Sequence, residues 1–392
     1  MTASFRVLHV VGGSEFGGIA PYIASLVKMT HEHGGDAKVL VTAPRVVHYF
    51  QERGIDTVQL HGIDRAVNPI RDLAGLTRLI AYLTSHKYTI VHTHTSKGGV
   101  IGRASARAAA VPVIIHSTQG YAFKDYAHNH LEKWLFYQLE KGATSCCDFI
   151  ISANQADYQL AVELGIAPPD KIVKIPNAVD IAAIDAAQAP PDLRQSLGMA
   201  PDRKIVGAIA RLSTQKGLEY FLEAIPDILR IHLETQFLIV GEGPLRSKLQ
   251  ARADQMGLGP TVIFTGFRSD WLEILQLMDV FVMPSLWEGL PMTLLGAMAT
   301  ARPVVATRIK GITDVCGDSE AMILVQPHSS AALTQAILLL LDDPLRARAL
   351  GCTARRRVEE EYSEPVMNAR IWNVYADTLE RKLPGWRPSR YG

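Results

Sequence analysis

Cysteine is scarce in this chain, and the few cysteines present form no pattern. The 392 residues include four, of which Cys146 and Cys147 are adjacent while Cys316 and Cys352 stand apart. Four are too few for a disulfide framework in a chain of this length, and no pair has the spacing of a zinc site. We therefore expect a protein of a reducing compartment, the cytoplasm.

Net charge and long apolar runs are also lacking. The formal net charge is +1, which gives no reason to expect a nucleic acid as partner. No uninterrupted apolar run reaches the roughly 18 residues of a membrane span, and the first residues show no small-residue cleavage site of a secretory signal. We expect a cytoplasmic protein without integral membrane insertion; peripheral attachment to the inner face of the cytoplasmic membrane stays open.

Apolar residues are abundant, and they fall into two series of short β-branched runs separated by helical patterns. Their 48% share is enough for a sizeable core and more than one domain. The first series of predicted strands comprises residues 5–11, 37–42, 57–60, 90–93, 113–117 and 149–152. The second series comprises residues 204–210, 236–240, 262–265, 280–284 and 303–307. Strands that alternate with helices indicate parallel sheets built from βαβ units.

Two successive series predict an α/β protein of two doubly wound domains facing a central cleft. Between them lies the segment IPNAVD, followed by a stretch rich in Ala and Pro up to Pro191, which is typical of a domain boundary. We predict a first domain at residues 1–178 and a second at 179–370. The C-terminal helix, about 371–392, is expected to pack back on the first domain.

Three loops at predicted strand ends have the composition of an anion site. Residues 12–18 (GGSEFGG) join the first strand to a helix, where glycines let backbone amides approach an anion. The spacing is not that of a dinucleotide fingerprint, and a tight turn explains the glycines equally well. In the second series Arg211 ends a strand and Lys216 precedes a helix, an arrangement that suits a diphosphate. Glu288 stands shortly before another helix start, either as a cap or as a ligand of sugar hydroxyls.

Six segments in order along the chain resemble motifs of the family 4 glycosyltransferases: GGSEFGG, IPNAVD, ARLSTQKG, VGEGPL, FTGFRSD and WEGLPMTLLGAMATARPVVAT. The resemblance implies a GT-B fold, retention of anomeric configuration, a nucleotide-diphosphate-sugar donor and no catalytic metal or other cofactor. The sequence contains no Asp-x-Asp, the motif that the metal-dependent GT-A alternative normally uses.

The resemblance also implies roles for individual residues. Arg211 and Lys216 would neutralise the donor diphosphate and stabilise the charge of the leaving group where a metal would otherwise serve. Glu288 would contact the donor sugar. The other implied donor-site residues are Gly17, Gly18, Gly241, Phe267, Arg268, Gly289, Leu290 and Met292. Of these, Gly17 and Gly18 would close over the diphosphate, Phe267 and Arg268 would line the base pocket, and amides near Leu290 and Met292 would hold the phosphate.

Two positions depart from the family pattern. The family has a second Glu eight residues after the first, which contacts the donor ribose; here that position is Gly296. The loss removes an acceptor worth roughly 1–3 kcal/mol if the ribose hydroxyls stay unpaired. The family also has a cleft His where this chain has Gln119, which forms hydrogen bonds but cannot titrate. His116 lies an odd number of residues away and so points to the opposite face of its strand.

Several histidines invite a functional interpretation. His92 and His94 share one face of a strand, as a metal pair would; because the family has this pair without metal and no third ligand is evident, we interpret them as cleft-edge or packing residues. The helix that follows His130 carries an aromatic stripe with lysines. It either packs on its own domain or touches the membrane, as the first domain does in relatives with lipid-linked acceptors.

The sequence thus predicts retaining transfer of a hexosyl unit from a nucleotide sugar, with a UDP-sugar preferred. The segment HTHTSKGGVIGRASARAAAVP resembles the bacterial polysaccharide and lipopolysaccharide branch, which favours a glycan or an undecaprenyl-diphosphate-linked acceptor. One alternative, motivated by Gln119 and Gly296, is a non-catalytic GT-B protein that binds a nucleotide sugar or a partner glycosyltransferase. Another is a GT-B nucleotide-sugar epimerase.

Overall fold

The β-branched runs of the sequence form two parallel sheets, one in each of two units. The computed structural model describes residues 5–12, 19–63, 68–125 and 129–387. The first unit comprises Met1–Asn177 and Met367–Gly392, and the second unit comprises Ala178–Val366. In each unit helices alternate with the strands of one sheet, which confirms the predicted α/β class.

The first sheet contains all six predicted strands and one more. Its strands are β1 (Arg6–Val11), β2 (Asp36–Val41), β3 (Thr57–Val58), β4 (Ile90–His94), β5 (Val113–Thr118), β6 (Phe149–Ser152) and β7 (Ile172–Lys174). The order is β3-β2-β1-β4-β5-β6-β7, parallel throughout. The pattern does not predict β7, because three residues are too short to show a periodicity. Strands β4 and β5 are buried along their whole length, as in a sheet covered on both faces.

The second sheet repeats this arrangement with one strand fewer. Its strands are β8 (Lys204–Ile209), β9 (Thr235–Val240), β10 (Val262–Gly266), β11 (Val280–Met283), β12 (Val304–Thr307) and β13 (Ile323–Val325). The order is β10-β9-β8-β11-β12-β13, again parallel. The strand order reverses between β8 and β11 here and between β1 and β4 in the first sheet, so each sheet has a switch point at its carboxyl edge.

Helices connect the strands in both units. Those of the first unit are α1 (Ile19–Glu32), α2 (Pro44–Gln51), α3 (Pro69–His86), α4 (Ser96–Ala108), α5 (Ala122–Asp125), α6 (His130–Ser145) and α7 (Gln155–Glu163). Those that follow are α8 (Ile181–Ala186), α9 (Leu193–Ser196), α10 (Leu218–Ile231), α11 (Arg246–Gln255), α12 (Trp271–Leu277), α13 (Met292–Ala299), α14 (Lys310–Cys316), α15 (Ser330–Asp342), α16 (Pro344–Glu361) and α17 (Glu364–Lys382).

Short polar side chains determine where several of these helices begin. The side chains of Asn68, Asn129, Asn154 and Asp180 each accept a hydrogen bond from the amide three residues later, at the starts of α3, α6, α7 and α8. Such a cap satisfies an amide that has no partner inside the helix. Within the described residues, no helix combines the length and apolarity needed to cross a membrane.

Helix α17 returns the chain to the first unit after the whole second unit has been completed. Tyr375 Oη lies 2.6 Å from His92 Nδ1, and the Trp372 indole stacks on the His33 ring with 3.8 Å between centroids. Asn368 Nδ2 donates to Ser25 Oγ at 3.0 Å. The last helix is therefore part of the hydrogen-bonded interior of the first unit.

Candidate active site

The loops that follow β8 and β11 meet at the switch point of the second sheet, where open parallel sheets bind their ligands. The amide of Leu286 donates to the carbonyl of Gln215 at 2.8 Å, which joins the two loops. The structure thus brings together the predicted segments 211–217 and 284–292, although about 70 residues separate them in sequence; βαβ connections of this kind bring distant segments to one sheet edge.

Lys216 and Glu288 form an ion pair between these loops. Lys216 Nζ lies 2.5 Å from Glu288 Oε1, and the two side chains are 17% and 5% exposed. Ser285 Oγ donates to the same carboxylate oxygen at 2.7 Å, and Gln215 Nε2 donates to the other at 3.4 Å. Three donors therefore fix the orientation of the carboxylate. Sequence reasoning found the two charged residues but missed Ser285 and Gln215, whose types carry no signal by themselves.

Gly217 explains why the Lys216 loop can lie so close to β11. Its φ is 57°, and a Cβ at this position would lie 2.2 Å from the carbonyl oxygen of Pro284. Any other residue would be strained in this conformation and would collide with the backbone. In this Lys-Gly pair, Lys216 supplies the positive charge and Gly217 allows the two loops to lie close together.

Arg211 is the second predicted cation of the site. Its side chain is exposed at the end of β8, and it forms no ion pair with any residue in the described ranges. A guanidinium with unused donors at a switch point is suited to bind an anion in a bidentate manner.

The start of α13 offers backbone donors beside these cations. Pro291 occupies the cap position and provides no side-chain cap, so the first-turn amides from Met292 onward have no partner inside the helix. The positive end of the helix dipole adds to this. The preceding backbone, Glu288 to Leu290, is held from behind by Gly311, where a Cβ would lie 2.4 Å from the Glu288 carbonyl oxygen.

Gly241 closes the carboxyl edge of the same sheet. A Cβ there would lie 1.9 Å from the carbonyl oxygen of Ala210, and φ is 134°. The Gly241 amide donates to the Gly266 carbonyl at 2.8 Å. The glycine therefore allows the loops after β8, β9 and β10 to touch.

Phe267 and Arg268 follow β10 at this edge. The Phe267 side chain is 78% exposed and offers a ring face of the kind that stacks on planar ligands. Arg268 Nε donates to Asp270 Oδ1 at 2.7 Å, and this hydrogen bond is the main reason why the pKa of Asp270 lies below its ordinary value. Arg268 is therefore half of an ion pair, which the sequence pattern did not predict.

Gln119 lies in the first unit, just after β5. Its side chain is exposed, and its carboxamide pairs with that of Asn177: Gln119 Nε2 donates at 3.2 Å and Asn177 Nδ2 donates in return at 2.8 Å. His116 does not share this environment, because it is 2% exposed and faces the interior. Asn177 belongs to the predicted IPNAVD linker, so two motifs of the sequence meet here.

His116 belongs to a buried polar cluster that sequence reasoning missed. Its Nδ1 lies 2.9 Å from Thr93 Oγ1, and its Nε2 lies 3.9 Å from Glu140 Oε1. Glu140 accepts a hydrogen bond from the fully buried Arg103 at 2.8 Å. Burial lowers the pKa of His116 well below its ordinary value. The cluster joins β5, the strand that precedes Gln119, to α4 and α6.

The predicted pair of His92 and His94 has a third histidine beside it, His9 of β1, which sequence reasoning missed because β1 is distant in the chain. Single nitrogens of the three lie within 4.8 Å of one another, as metal ligands would. However, His9 Nδ1 already pairs with His94 Nε2 at 3.1 Å, and His92 bonds Tyr375 and Ser117. All three are fully buried, and burial lowers their pKa values, so they lie in the interior and not at an open edge. Among the described residues, His9 Nε2 and His94 Nδ1 have no hydrogen-bond partner.

The glycine-rich loop of the first unit is only partly visible. Gly17 and Gly18 lie outside the described residues. At the loop's start, the Gly12 carbonyl accepts a hydrogen bond from Thr95 Oγ1 at 3.0 Å, and a Cβ at Gly12 would lie 2.7 Å from Gly98 Cα. The beginning of this loop is therefore packed tightly against the start of α4.

Comparison with known proteins accounts for both units. A family described as "Glycosyl transferase 4-like domain" matches residues 17–178, and one described as "Glycosyl transferases group 1" matches residues 203–343. The solved glycosyltransferase from Rickettsia africae superimposes with a TM-score of 0.81 over 96% of this chain and 99% of its own, at 18% identity. Anabaena HepE in complex with UDP and glucose gives a TM-score of 0.79 over 95% and 100%, at 19% identity.

Two relatives are closer in sequence. The UDP-Gal:alpha-D-GlcNAc-diphosphoundecaprenol alpha-1,3-galactosyltransferase of Escherichia coli is 30% identical over 322 residues, which cover 81% of this chain and 83% of that protein. The putative glycosyltransferase EpsD of Bacillus subtilis is 30% identical over 317 residues, covering 78% and 82%. With both sheets of the GT-B fold and these matches across both units, the chain belongs to the family 4 glycosyltransferases.

Proposed function

We propose that this glycosyltransferase moves a hexosyl unit, with retention of configuration, from a nucleotide-diphosphate sugar to a lipid-linked or glycan acceptor. A UDP-sugar is the preferred donor, and neither a catalytic metal nor another cofactor takes part. The observation that carries the proposal is the Lys216–Glu288 pair beside the exposed Arg211 at the switch point of the second sheet.

Each group of this site has a task in the proposed reaction. The diphosphate gains negative charge as the glycosidic bond breaks; Arg211, Lys216 and the first-turn amides of α13 stabilise that charge. Glu288, held by Ser285 and Gln215, accepts hydrogen bonds from sugar hydroxyls. The two cations supply the stabilisation that a divalent metal gives in other transferases, which is the physical basis for proposing metal independence.

The remaining predicted residues complete this proposal. The Phe267 ring stacks on the nucleobase. Gln119, oriented by Asn177, holds a sugar hydroxyl through its carboxamide and does not act as a base, because an amide does not titrate. The glycosyltransferase matches do not favour the non-catalytic alternative.

The acceptor proposal rests on the relative from Escherichia coli, whose name specifies UDP-Gal as donor and a diphosphoundecaprenol-linked GlcNAc as acceptor. By analogy, we propose a lipid-diphosphate-linked acceptor in the synthesis of a cell-surface polysaccharide or lipopolysaccharide. Such an acceptor keeps its lipid in a bilayer, so the first unit must reach the membrane surface from the cytoplasm.

Helix α6 provides the face for that contact. Leu131, Trp134, Leu135 and Leu139 are 74%, 58%, 45% and 45% exposed, and their spacing places them on one side of the helix. The opposite side packs on the unit, with Glu140, Ala143 and Thr144 buried. Exposed lysines also lie on α6: Lys133 and Lys141. Lys141 lies two turns after Trp134 beside the apolar stripe, whereas Lys133 lies on the other side of the helix. An exposed apolar stripe with a Trp and a lysine beside it is suited to the interface of an anionic bilayer.

Sedimentation with vesicles tests this face. We expect the protein to sediment with vesicles of phosphatidylglycerol and phosphatidylcholine, and the variant Trp134→Ser/Leu135→Ser to stay in the supernatant. The variant Leu345→Ser, at an exposed apolar residue of the second unit, is the control and should sediment like the parent. If the α6 variant sediments unchanged, α6 is not the membrane contact.

Calorimetric titration with UDP, GDP and their hexose conjugates tests the donor site. We expect one nucleotide to bind, and Arg211→Ala/Lys216→Ala to weaken it at least about 100-fold, since charge-assisted hydrogen bonds contribute about 1.5–3 kcal/mol each. Arg348→Ala/Lys248→Ala removes two exposed cations elsewhere in the second unit and should leave the affinity unchanged. If the folded protein binds none of these nucleotides, the proposal is wrong.

A transfer assay then tests the acceptor and metal independence together. With GlcNAc-diphosphoundecaprenol as acceptor and the nucleotide sugar found by titration, we expect a product that keeps the anomeric configuration of the donor. We expect the same rate with excess EDTA as with magnesium. A rate that falls more than about tenfold with EDTA and is restored by magnesium would contradict metal independence.

A further inference from the structure

Trp271 occupies the space beside Gly296. Gly296 is buried in the second turn of α13, and a Cβ built on it would lie 2.6 Å from Trp271 Cζ3 and 2.8 Å from Cη2. These distances are shorter than any real contact, so the edge of the indole rests directly on the backbone of Gly296. No larger residue fits at position 296 while Trp271 keeps this position.

This contact explains a glycine that would otherwise weaken the helix. Gly in the middle of a helix costs about 1 kcal/mol relative to Ala. The indole packs against the core cluster of the second unit, which includes Ile274 and Leu275 of its own helix, and so replaces the missing side chain. Gly296 and Trp271 are therefore a matched pair, and the glycine does not mark a decayed site.

The position of the pair relates it to the donor. Trp271 is three residues after Arg268 in the segment proposed to line the base pocket, and it touches α13 one turn after the first-turn amide of Met292. One helical turn is about 5.4 Å. The indole therefore joins a helix that follows the proposed base segment to the helix whose first-turn amides form the proposed diphosphate end. In a nucleoside diphosphate the ribose joins those two ends.

We infer that Trp271 replaces a ribose-binding carboxylate, so that this donor site packs an indole against the ribose and does not require its 2′-hydroxyl. The inference rests on the proposed donor site and specifies how that site selects its nucleotide. A carboxylate accepts hydrogen bonds from ribose hydroxyls, whereas an indole has a single N–H donor and no acceptor. Trp271 is half-buried; in this arrangement the ribose hydroxyls face water, so removing one leaves no buried group unpaired.

Paired titrations with ribo- and 2′-deoxynucleotides test this inference. Whichever of UDP, GDP and ADP binds is compared with its 2′-deoxy counterpart. For the parent protein we expect the two dissociation constants to agree within about threefold. For Trp271→Val/Gly296→Glu, which clears the space and adds a carboxylate, we expect the ribonucleotide to bind at least about tenfold more tightly, since one hydrogen bond to a charged group contributes that much or more.

Two further variants separate packing from recognition. Trp271→Val alone opens the space without adding an acceptor. The ribonucleotide and its 2′-deoxy counterpart should therefore still bind this variant with dissociation constants that agree within about threefold. Gly296→Glu alone places a side chain against the indole and should lower the melting temperature by several degrees, because overpacking costs about 1–3 kcal/mol. A Gly296→Glu variant as stable as the parent would show that the indole does not fill this space.

The outcomes distinguish this inference from the function on which it rests. If the parent binds the ribonucleotide more than about tenfold more tightly than the deoxynucleotide, or if Trp271→Val/Gly296→Glu remains indifferent to the 2′-hydroxyl, the inference is wrong and the donor site stands. If the folded parent binds none of the three nucleotides, the donor site itself is wrong, and the inference fails with it.

Discussion

Glu288 is held by a lysine ammonium, a serine hydroxyl and a glutamine amide at once, and its charge has two effects. In the proposed reaction, the fixed carboxylate binds sugar hydroxyls, and its negative charge reduces the positive charge that Lys216 offers to the donor diphosphate. These effects separate in a variant that keeps the shape of the side chain but removes its charge.

For Glu288→Gln we expect the affinity for UDP alone to stay the same or to rise by up to about tenfold, because Lys216 loses its competing partner. The turnover number should fall at least about 100-fold, as when a group that stabilises the transition state is removed. Titration gives the affinity, and initial rates at saturating donor give the turnover. A variant with weaker UDP binding and a normal turnover number would assign Glu288 to the nucleotide and not to the sugar.

Gly241 is required for close backbone approach, and this requirement is measurable. Gly241→Ala should lower the free energy of unfolding by at least about 3 kcal/mol, because the new Cβ would collide with the Ala210 carbonyl and because alanine is strained at this φ. Gly257→Ala is the matched control: its φ is 71° with nothing within 4 Å, so it should cost only about 1 kcal/mol. Urea unfolding of both variants gives the difference, and equal costs would contradict the steric argument.

Residues of the loops after β8 and β11 could be predicted from the sequence because their signals are local. Arg211, Lys216 and Glu288 stand at strand ends in short motifs, and parallel sheets bring such ends to one edge. The partners of these residues could not be predicted. Ser285 and Gln215 are ordinary loop residues, and the role of Trp271 depends on a packing contact with a helix 25 residues later in the chain, which periodicity does not show.

Strand β4 carries two buried histidines and faces a third on β1, while His116 on β5 is buried on the opposite face of the sheet. Burial lowers the pKa of His9 to about 3, and it lowers the pKa values of His92, His94 and His116 well below the ordinary 6.5, because a charged imidazolium is poorly solvated in the interior. Tyr22, Tyr375 and Ser117 contribute hydrogen bonds to this region, and the two tyrosines also make edge-on ring contacts with His94 and His92.

These lowered pKa values predict acid sensitivity of the first unit. Below about pH 6.5 these histidines bind protons in the unfolded chain but not in the folded chain. The free energy of unfolding therefore has its full value above that pH and falls as the pH drops toward 3. Each buried histidine lowers the free energy of unfolding by up to about 1.4 kcal/mol for each pH unit of this drop. Hydrogen exchange at pH 7.5 and 5.5 should show strands β1 and β4 losing protection while β8 and β11 keep theirs. An equal loss in both sheets would contradict this.

The fold was largely predictable at the level of elements. All eleven predicted strands are present in the two sheets. They could be predicted because a long series of β-branched runs strongly indicates parallel sheets. The exceptions are β7 and β13, each of three residues. The outward apolar stripe of α6 was visible as composition, but whether it faced the core or solvent depended on how α4 and α5 cover the other side.

On the scale of the whole molecule, the chain leaves the first unit at Asn177, builds the second, and returns at Met367. We expect Tyr375→Ala to destabilise the first unit by about 3–5 kcal/mol, because it opens a cavity and leaves His92 Nδ1 unpaired. Hydrogen exchange should show the loss in β4 and β5 and not in β8 or β11. The exposed Glu380 offers a control on the same helix, and Glu380→Ala should change neither the stability of the first unit nor the hydrogen exchange of β4 and β5.

This return has a consequence for synthesis on the ribosome. Chains generally fold from the N-terminus as they emerge, at about 5–20 residues per second, but here the first unit lacks Trp372, Tyr375 and the rest of its last helix until almost the whole chain has been made. The second unit, although later in the sequence, has all of its residues earlier. A nascent chain therefore completes its second unit before its first. A prematurely terminated chain carries a first unit with His92 and His33 uncovered, which is a ready substrate for chaperones and proteases.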